Sequence, residues 1–480
     1  MDIFELAKAR ILAGKGGNTP GGGGGGGGSS VSPKDVNFYD YDGTLLHSYT
    51  VAEAQALSEL PPLPTQKGLV CQGWNWTLDD IKAHNRAVDV GATYITDDGK
   101  TRLYIKIAAE GRMDVPLYFR QTVTNGVTID WGDGSATETF DGTGKVTTVH
   151  TYASIGEYVI SLDVVDGCEL TLGDNSTSNC VLGPINNSNR VYCNMLRKVE
   201  IGNNTVENIG GTAFLRCSSL KSITIPNSVT SMGRQMCDGC HSLSSIIIPN
   251  RVTSLRDYPF EACYSLAIVS IPNGVTSMYG TPFQGSRTLA RIVIPNSVTQ
   301  MGSFSGCTAL ENITIPNGVT SLYDGAFNGC STLKSITIPD GVTVINRDMF
   351  SGCSTLKSIT IPDGVTDMGQ QTFSSCYLLE NITIPNGVTM LGSNLFSYCY
   401  TLASVIIPNS VTKILGGAFG SCYGMKFYDF TSHKVVPTME NTYAFGSIPS
   451  DCEIRVPAAL YEEWKAATNW STYADQIVAV

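Results

Sequence analysis

Between residues 195 and 431 the chain repeats one alternation of apolar and polar positions. A leucine is followed three and five residues later by aliphatic side chains, as at Leu220, Ile223 and Ile225, and a proline comes next. The L-x-x-I-x-I spacing turns alternate side chains inward and predicts a short strand. Proline has no donor for the ladder, so it ends the strand, and Pro-Asn or Pro-Asp followed by Gly or Ser makes a turn. Val229 returns the chain to the core, and the unit closes on Phe and, three residues later, Cys. That Phe recurs at 214, 260, 283, 304, 327, 350, 373, 396 and 419, with Cys237 in its place once. The prolines stand at 226, 249, 272, 295, 316, 339, 362, 385 and 408, so seven of the eight intervals are 23 residues and one is 21. A fixed period with its apolar positions in register predicts a solenoid of leucine-rich-repeat type. One rung buries too little to fold alone, so its stability comes from stacking on its neighbours.

The pattern changes several times ahead of the repeats. Residues 1–13 carry an apolar stripe at Phe4, Ala7 and Ile11, with Asp2 and Glu5 placed as a capping box and Gly14 as the stop, which predicts a short docking helix. Residues 14–32 include eight consecutive glycines and read as a flexible tether. No strand precedes them, so they are not a phosphate-binding loop. Residues 33–102 predict a small α+β module. It comprises a hairpin with a type I′ turn at Asp42 and Gly43, a helix capped by Thr50 and Glu53, a second helix over residues 77–88, and another hairpin turning at Asp98 and Gly99. Residues 103–174 alternate over short strands, as at Tyr158, Ile160 and Leu162, and predict a β-sandwich. An Asn-rich connector, 175–194, leads to the solenoid, 195–456, whose first rung holds Val199 and Ile201. Residues 457–480 predict a cap helix after Pro457, laying Leu460 and Trp464 over the open end of the core. The fold class is mainly β: a solenoid of about ten rungs preceded by a sandwich and an α+β module.

Composition narrows the function. The net charge of −11 argues against nucleic acid as the main partner, and no apolar run is long enough to span a membrane. Nine of the 15 cysteines form one column at 217, 240, 263, 307, 330, 353, 376, 399 and 422, with Ser286 in the gap. Stacked neighbours would hold their Cβ atoms about 4.8 Å apart, beyond the ~3.8 Å a disulfide prefers. The column therefore reads as buried free thiols in a chain that folds in a reducing cytoplasm. Histidines 47, 84, 150, 241 and 433 are scattered, and the single C-x-x-C pair, Cys237 and Cys240, has no second pair to complete a zinc site, so neither a metal, a cofactor nor a catalytic constellation is expected. His150 reads as a packed structural residue.

Several stretches resemble known families. The I-x-I-P-x-x-V-T-x-[IM]-G-x-x-x-F-x-x-C-x-x-L consensus resembles BspA-type leucine-rich repeats of surface and adhesive proteins, which implies a binding scaffold. Asp130, Trp131, Gly132, Asp133 and Gly134, with His150, Tyr152, Gly156 and Tyr158, resemble the PKD domain, which implies an immunoglobulin-like spacer or adhesion module. Asp40, Tyr41, Asp42, Gly43 and Thr44 match the DxDGT signature of haloacid-dehalogenase-type phosphohydrolases. The text downstream offers no series of parallel strands and crossover helices to complete such a site, so a hairpin is expected instead. The whole module resembles the leader of leucine-rich-repeat proteins encoded by gut Firmicutes and their prophages.

These features point to a non-enzymatic, modular binding protein associated with a phage or prophage tail. Its N-terminal helix would dock to a tail or baseplate component, and its solenoid would meet a host cell-surface protein or glycan. It would be assembled in the bacterial cytoplasm and carried on the virion. The alternative is a bacterial cell-surface adhesin, and a phosphohydrolase is the remote third. Strand positions Thr224, Thr314, Thr337, Thr360 and Thr383 are too uniform to specify a partner, so the candidate binding residues are tyrosines: Tyr377, Tyr400 and Tyr423 after the column cysteines, with Tyr398 and Tyr264.

Overall fold

Each rung folds as its side-chain pattern requires. The computed structural model describes residues 33–173, 179–184, 190–202 and 206–480. The expected docking helix, with Phe4, Ala7 and Ile11, and the glycine tether lie outside the described residues. In the repeats the aliphatic positions make three-residue strands that pair in parallel with the next rung, Ile246 opposite Val269, Ile313 opposite Ile336 and Val405 opposite Tyr428. After the proline turn a two-residue strand pairs with its own equivalent, as Leu255 with Met278 and Leu391 with Ile414. Two parallel sheets result, and the solenoid makes about 12 turns. The phenylalanines stack through its core with centroids 5.3 to 6.1 Å apart from Phe260 to Phe419. Phe445 continues the stack 5.4 Å from Phe419, beyond the last regular repeat.

The cysteine column lies beside this stack. Each thiol from Cys330 to Cys422 donates to the carbonyl of a phenylalanine 26 residues earlier, at 3.2 Å. All nine are buried and unbonded to one another, and burial pushes their pKa values up, making them weaker acids, wherever a shift is resolved. Ser286 fills the gap with a hydroxyl that is fully buried and finds no hydrogen-bond partner among the described residues. The C–O bond is shorter than C–S, so the oxygen falls short of the acceptor its neighbours reach. Ser286→Cys should therefore stabilise the protein by about 1–2 kcal/mol, the usual penalty of a buried unpaired hydroxyl. Denaturant unfolding of the two proteins side by side checks this, and a destabilised variant would refute the column's preference.

The sandwich is continuous with the solenoid. Strands β1 (Val36–Tyr39), β2 (Leu45–Tyr49), β3 (Leu69–Trp74) and β4 (Val88–Thr96) belong to the module. Then come β5 (Thr101–Ile107), β6 (Asp114–Gln121), β7 (Val127–Asp130), β8 (Glu138–Thr139), β9 (Gly144–Thr151), β10 (Gly156–Val164) and β11 (Leu170–Leu172). A small ribbon, β12 (Asn179–Cys180) with β13 (Gly183–Pro184), precedes the first rungs, which hold β14 (Leu196–Glu200), β15 (Asn208–Ile209), β16 (Ser222–Thr224) and β17 (Ser231–Met232). One sheet runs β16-β14-β5-β10-β7-β8 and the other β17-β15-β11-β6-β9, so each sandwich sheet passes directly into a solenoid sheet. One apolar core runs through both, from Trp131 and Tyr152 to Trp470. His150 packs as a structural residue, its ring stacked on Trp131 at 4.7 Å and its Nε2 2.7 Å from Asp133. Hydrogen bonds from Ser135 and His150 hold the Asp133 carboxyl down at about 2.

The module has its own core, around Phe38, Trp74, Trp76 and Tyr94. Its four-stranded sheet has the order β2-β1-β4-β3. The β1–β2 hairpin is present, but only Gly43 of its turn is left-handed (φ 90°), so the turn is not type I′. The helix at Val51–Gln55 has the expected capping box, and the second, Leu78–His84, stops early because Asn85 is left-handed and β4 begins at Val88. The hairpin expected at Asp98 and Gly99 does not form. β4 is a central strand, parallel to β1 and antiparallel to β3, and both its edges are taken. The chain turns at Gly99 and enters a different sheet, where β5 pairs with β10 and β14.

At the far end the expected cap is more than a helix. Trp464, on the helix Tyr461–Ala466, and Trp470 are both fully buried against Phe430. A further strand, Ile477–Ala479, then adds a last parallel rung beside Glu453–Val456.

Candidate functional site

The exposed side of the strand sheet divides into a covered part and an open part. In the strand Ser245–Ile247, and in the next at Ile268–Ser270, the outward positions Ser245, Ile247 and Ser270 are all buried under the module. Ser245 Oγ donates to the Tyr41 carbonyl at 2.7 Å and Ser270 Oγ to the Asp89 carbonyl at 2.5 Å. From the module, Asn75 Nδ2 donates to the Ile248 carbonyl and the Trp76 indole N–H to the Ile271 carbonyl, each at 2.9 Å. Asn75 also ties the module together, accepting from Gly91 N–H at 2.7 Å. At the rim, Arg291 donates to the Lys34 and Asp35 carbonyls at 2.8 and 2.6 Å and lies 3.1 Å from the buried Asp89 carboxylate. Burial raises the Asp89 carboxyl, and Arg291 and Asn37 pull it back down. Only Asp89 of this pair is buried; Arg291 is half-exposed and its charge is screened by water.

Beyond the module the same outward positions open to solvent: Asn312 and Thr314, Ser335 and Thr337, Ser358 and Thr360, Asn381 and Thr383. Next comes Ile406, 65% exposed, where the pattern calls for threonine. Ser404 and Ile406 reproduce the spacing of Ser245 and Ile247, the pair the module covers.

His84 stands at the docked edge. Its ring meets Trp76 edge-on at 5.3 Å, and Arg86 Nε donates to its Nε2 at 3.2 Å. Burial, then the Arg86 charge, lowers it from its ordinary 6.5 to about 4. A histidine neutral in the fold but protonated in the unfolded chain makes stability fall as pH drops from about 6.5 towards 4. Unfolding midpoints at pH 7 and 5 should therefore differ, and His84→Gln should shrink the difference. An undiminished acid slope in the variant would assign it elsewhere.

The structure brings four of the five candidate tyrosines into one group. Tyr377, Tyr400 and Tyr423 stack on one another at 5.0 and 5.6 Å, and Tyr398 meets Tyr400 edge-on at 6.3 Å. Tyr264 is separate, sandwiched between His241 at 4.5 Å and the Arg287 guanidinium at 4.6 Å. The inner ring faces are occupied by neighbouring rings, so a partner meets ring edges and hydroxyls. Tyr398 and Tyr423 are the more exposed, at 46% and 39%.

The DxDGT string is a turn. Asp40 is buried and accepts from Tyr41 N–H at 2.8 Å and from Gln66 Nε2 at 2.5 Å, while Asp42 accepts from Thr44 N–H at 2.9 Å. Both carboxylates therefore serve the local backbone and Gln66. Cys180 and Cys193 form a disulfide, with the Cys217 thiol in the same buried cluster. That bond runs against the expectation of a reducing cytoplasm, because such bonds persist in oxidising compartments.

Sequence reasoning missed Asn75, Trp76, Arg291, Ser245, Ile247 and Ser270. The signal was available in the repeats themselves: Ile247, Ser270 and Val293 depart from threonine in consecutive rungs, and the first two are the positions the module buries.

A family model described as "BspA type Leucine rich repeat region" matches residues 185–305 and 300–426, in six copies. No curated protein matches the chain. Among solved structures, a leucine rich cell surface protein from Faecalibacterium prausnitzii A2-165 is 26% identical over 61% of this chain and 86% of its own, with a TM-score of 0.38. A leucine-rich repeat protein from Bacteroides ovatus is 22% identical over 66% and 98%, with a TM-score of 0.39. The pneumococcal vaccine antigen PcpA is 15% identical over 57% and 76%, with a TM-score of 0.42.

Proposed function

The chain belongs to the BspA-type leucine-rich-repeat family, and from that premise we propose that it is a non-enzymatic binding protein of the bacterial cell surface. Repeats of this family are in general binding scaffolds and are often found on cell surfaces. The partner is a protein or glycan of a host cell or its matrix. The observation that carries this reading is the open strand face from Asn312 to Ile406, which continues the surface the module already uses for docking. The Cys180–Cys193 disulfide suits an exported protein. The PKD-like sandwich acts as a rigid root for the first rung, and the edges of Tyr377, Tyr398, Tyr400, Tyr423 and Tyr264 add contacts along the flank.

Ile406→Asp, alone and with Tyr400→Ser, should weaken adhesion of the purified chain to host cells at least tenfold with unfolding unchanged. Protease treatment of intact source cells should also remove the protein. Unaltered adhesion, or complete protection from the protease, would overturn the proposal.

The second reading is a host-recognition protein of a phage or prophage tail. It is favoured by the apolar stripe of Phe4, Ala7 and Ile11 ahead of a glycine tether, a layout suited to docking on a particle. Presence in purified particles, lost with Phe4→Asp and Ile11→Asp, would support it, and absence from particles would remove it.

A further inference from the structure

A cleft of about 640 Å³ lies where the first rungs meet the sandwich, with Tyr104, Lys106, Val159, Arg197, Lys198 and Lys221 among its walls. It gathers four cations on a chain of net charge −11. Two of the cations are already engaged. Lys198 pairs with the buried Glu200 at 2.6 Å, where Tyr104 also donates its hydroxyl at 2.6 Å, and Lys106 takes Glu157 at 3.0 Å. Arg197 and Lys221 have no ion-pair partner among the described residues. They sit on neighbouring rungs, tied by the Lys221 N–H bond to the Arg197 carbonyl at 2.8 Å. Like charges side by side on adjacent strands are destabilising. Further along the same column Lys334 and Lys357 are also neighbours, but each has a carboxylate on its other side, Glu311 at 2.5 Å and Glu380 at 3.8 Å. At the cleft the one lining carboxylate, Glu157, is held by Lys106 at 3.0 Å, with Arg197 acting on it only at longer range, and Lys221 has none.

We propose that this cleft binds an acidic sugar, with Arg197 and Lys221 holding its carboxylate or sulfate and the Tyr104 ring and Val159 forming the apolar floor. The volume falls within the roughly 300–1,000 Å³ of small-molecule sites, and a concave site of that size suits a sugar residue better than a protein face. A pyranose carries both the apolar C–H surface and the charge that these walls present, and cation-to-oxyanion hydrogen bonds supply orientation. The cleft is distinct from the open strand face and the tyrosine flank, so its ligand is independent of the partner proposed there.

The test is calorimetric titration of the full chain at 0.15 M salt with a sialylated trisaccharide, a uronic-acid disaccharide, a sulfated disaccharide and a neutral trisaccharide. At least one acidic sugar should bind at least tenfold more tightly than the neutral one, and which of them does so identifies the anion. Arg197→Gln with Lys221→Gln should reduce that affinity at least tenfold, while unfolding at the same or a higher temperature. Lys334→Gln, on the same column, should change nothing. No saturable binding, equal binding by the double variant, or equally tight binding of an oligoglutamate peptide would each overturn the proposal. None of these outcomes bears on adhesion through Ile406.

Discussion

Gly91→Ala should lift the module from the solenoid, at a cost of about 1–3 kcal/mol for overpacking a close contact. A Cβ at Gly91 would stand 2.4 Å from both Cδ1 and Cγ2 of Ile247 and 2.8 Å from its Cγ1. Three atoms of one branched side chain block the site, and Asn75 holds the glycine in place from both sides, donating N–H to its carbonyl and accepting its N–H. Neither element can yield without breaking the bonds of Asn75 and Trp76 to the strand ends. Ile247→Ala alone leaves a cavity and should also destabilise, by about 2–5 kcal/mol. Together the two changes should be less harmful than their sum, because the truncated residue makes room for the added methyl. Denaturant unfolding followed through Trp76 fluorescence measures all three variants. Strictly additive losses would mean that Gly91 and Ile247 do not meet in solution.

What the sequence disclosed and what it withheld divide along physical lines. The rungs were legible because 23-residue periodicity repeats the same burial requirement many times, so Ile223, Val229, Phe327 and Cys330 each carried the authority of their equivalents. Local chemistry was legible as well: Thr50 and Glu53 cap their helix as their spacing predicts. Partners distant in the chain were not. Asp98 and Gly99 signal a turn correctly, but nothing in them says which sheet the next strand joins. The docking of the module rests on Asn75 reaching a carbonyl 173 residues away, a bond made to backbone that every residue type offers. The tyrosines at 377, 400 and 423 were visible as a column, but their mutual stacking, which closes their inner faces, follows only from the rise between rungs. Cys180 and Cys193 belong to no repeat, and spacing alone does not pair them.

The C-terminal end was read half correctly, and its missing half carries the other large effect. Trp464 was expected over the open core, whereas Trp470 and the strand Ile477–Ala479 complete the closure. Trp470 lies 4.5 Å from Trp464, 5.5 Å from Phe430 and 5.4 Å from Phe445, the last ring of the stack, and its indole N–H donates to the Pro437 carbonyl at 2.8 Å. Trp470→Ala should therefore cost about 3–5 kcal/mol, the range for emptying a large aromatic site. In a solenoid each rung is held by its neighbours, so the loss should stay at that end. Amide exchange should accelerate in Glu453–Val456 and Ile477–Ala479, while Ser245–Ile247 and the module keep their protection. The two tryptophans also make opposite predictions on replacement by phenylalanine. Trp470→Phe strands the Pro437 acceptor, whereas the buried Trp464 indole N–H has no partner among the described residues, so Trp464→Phe removes an unmet donor and should be nearly neutral. Equal losses at the two positions, or a uniform rise in exchange along the whole chain after Trp470→Ala, would show that the end is not closed as described.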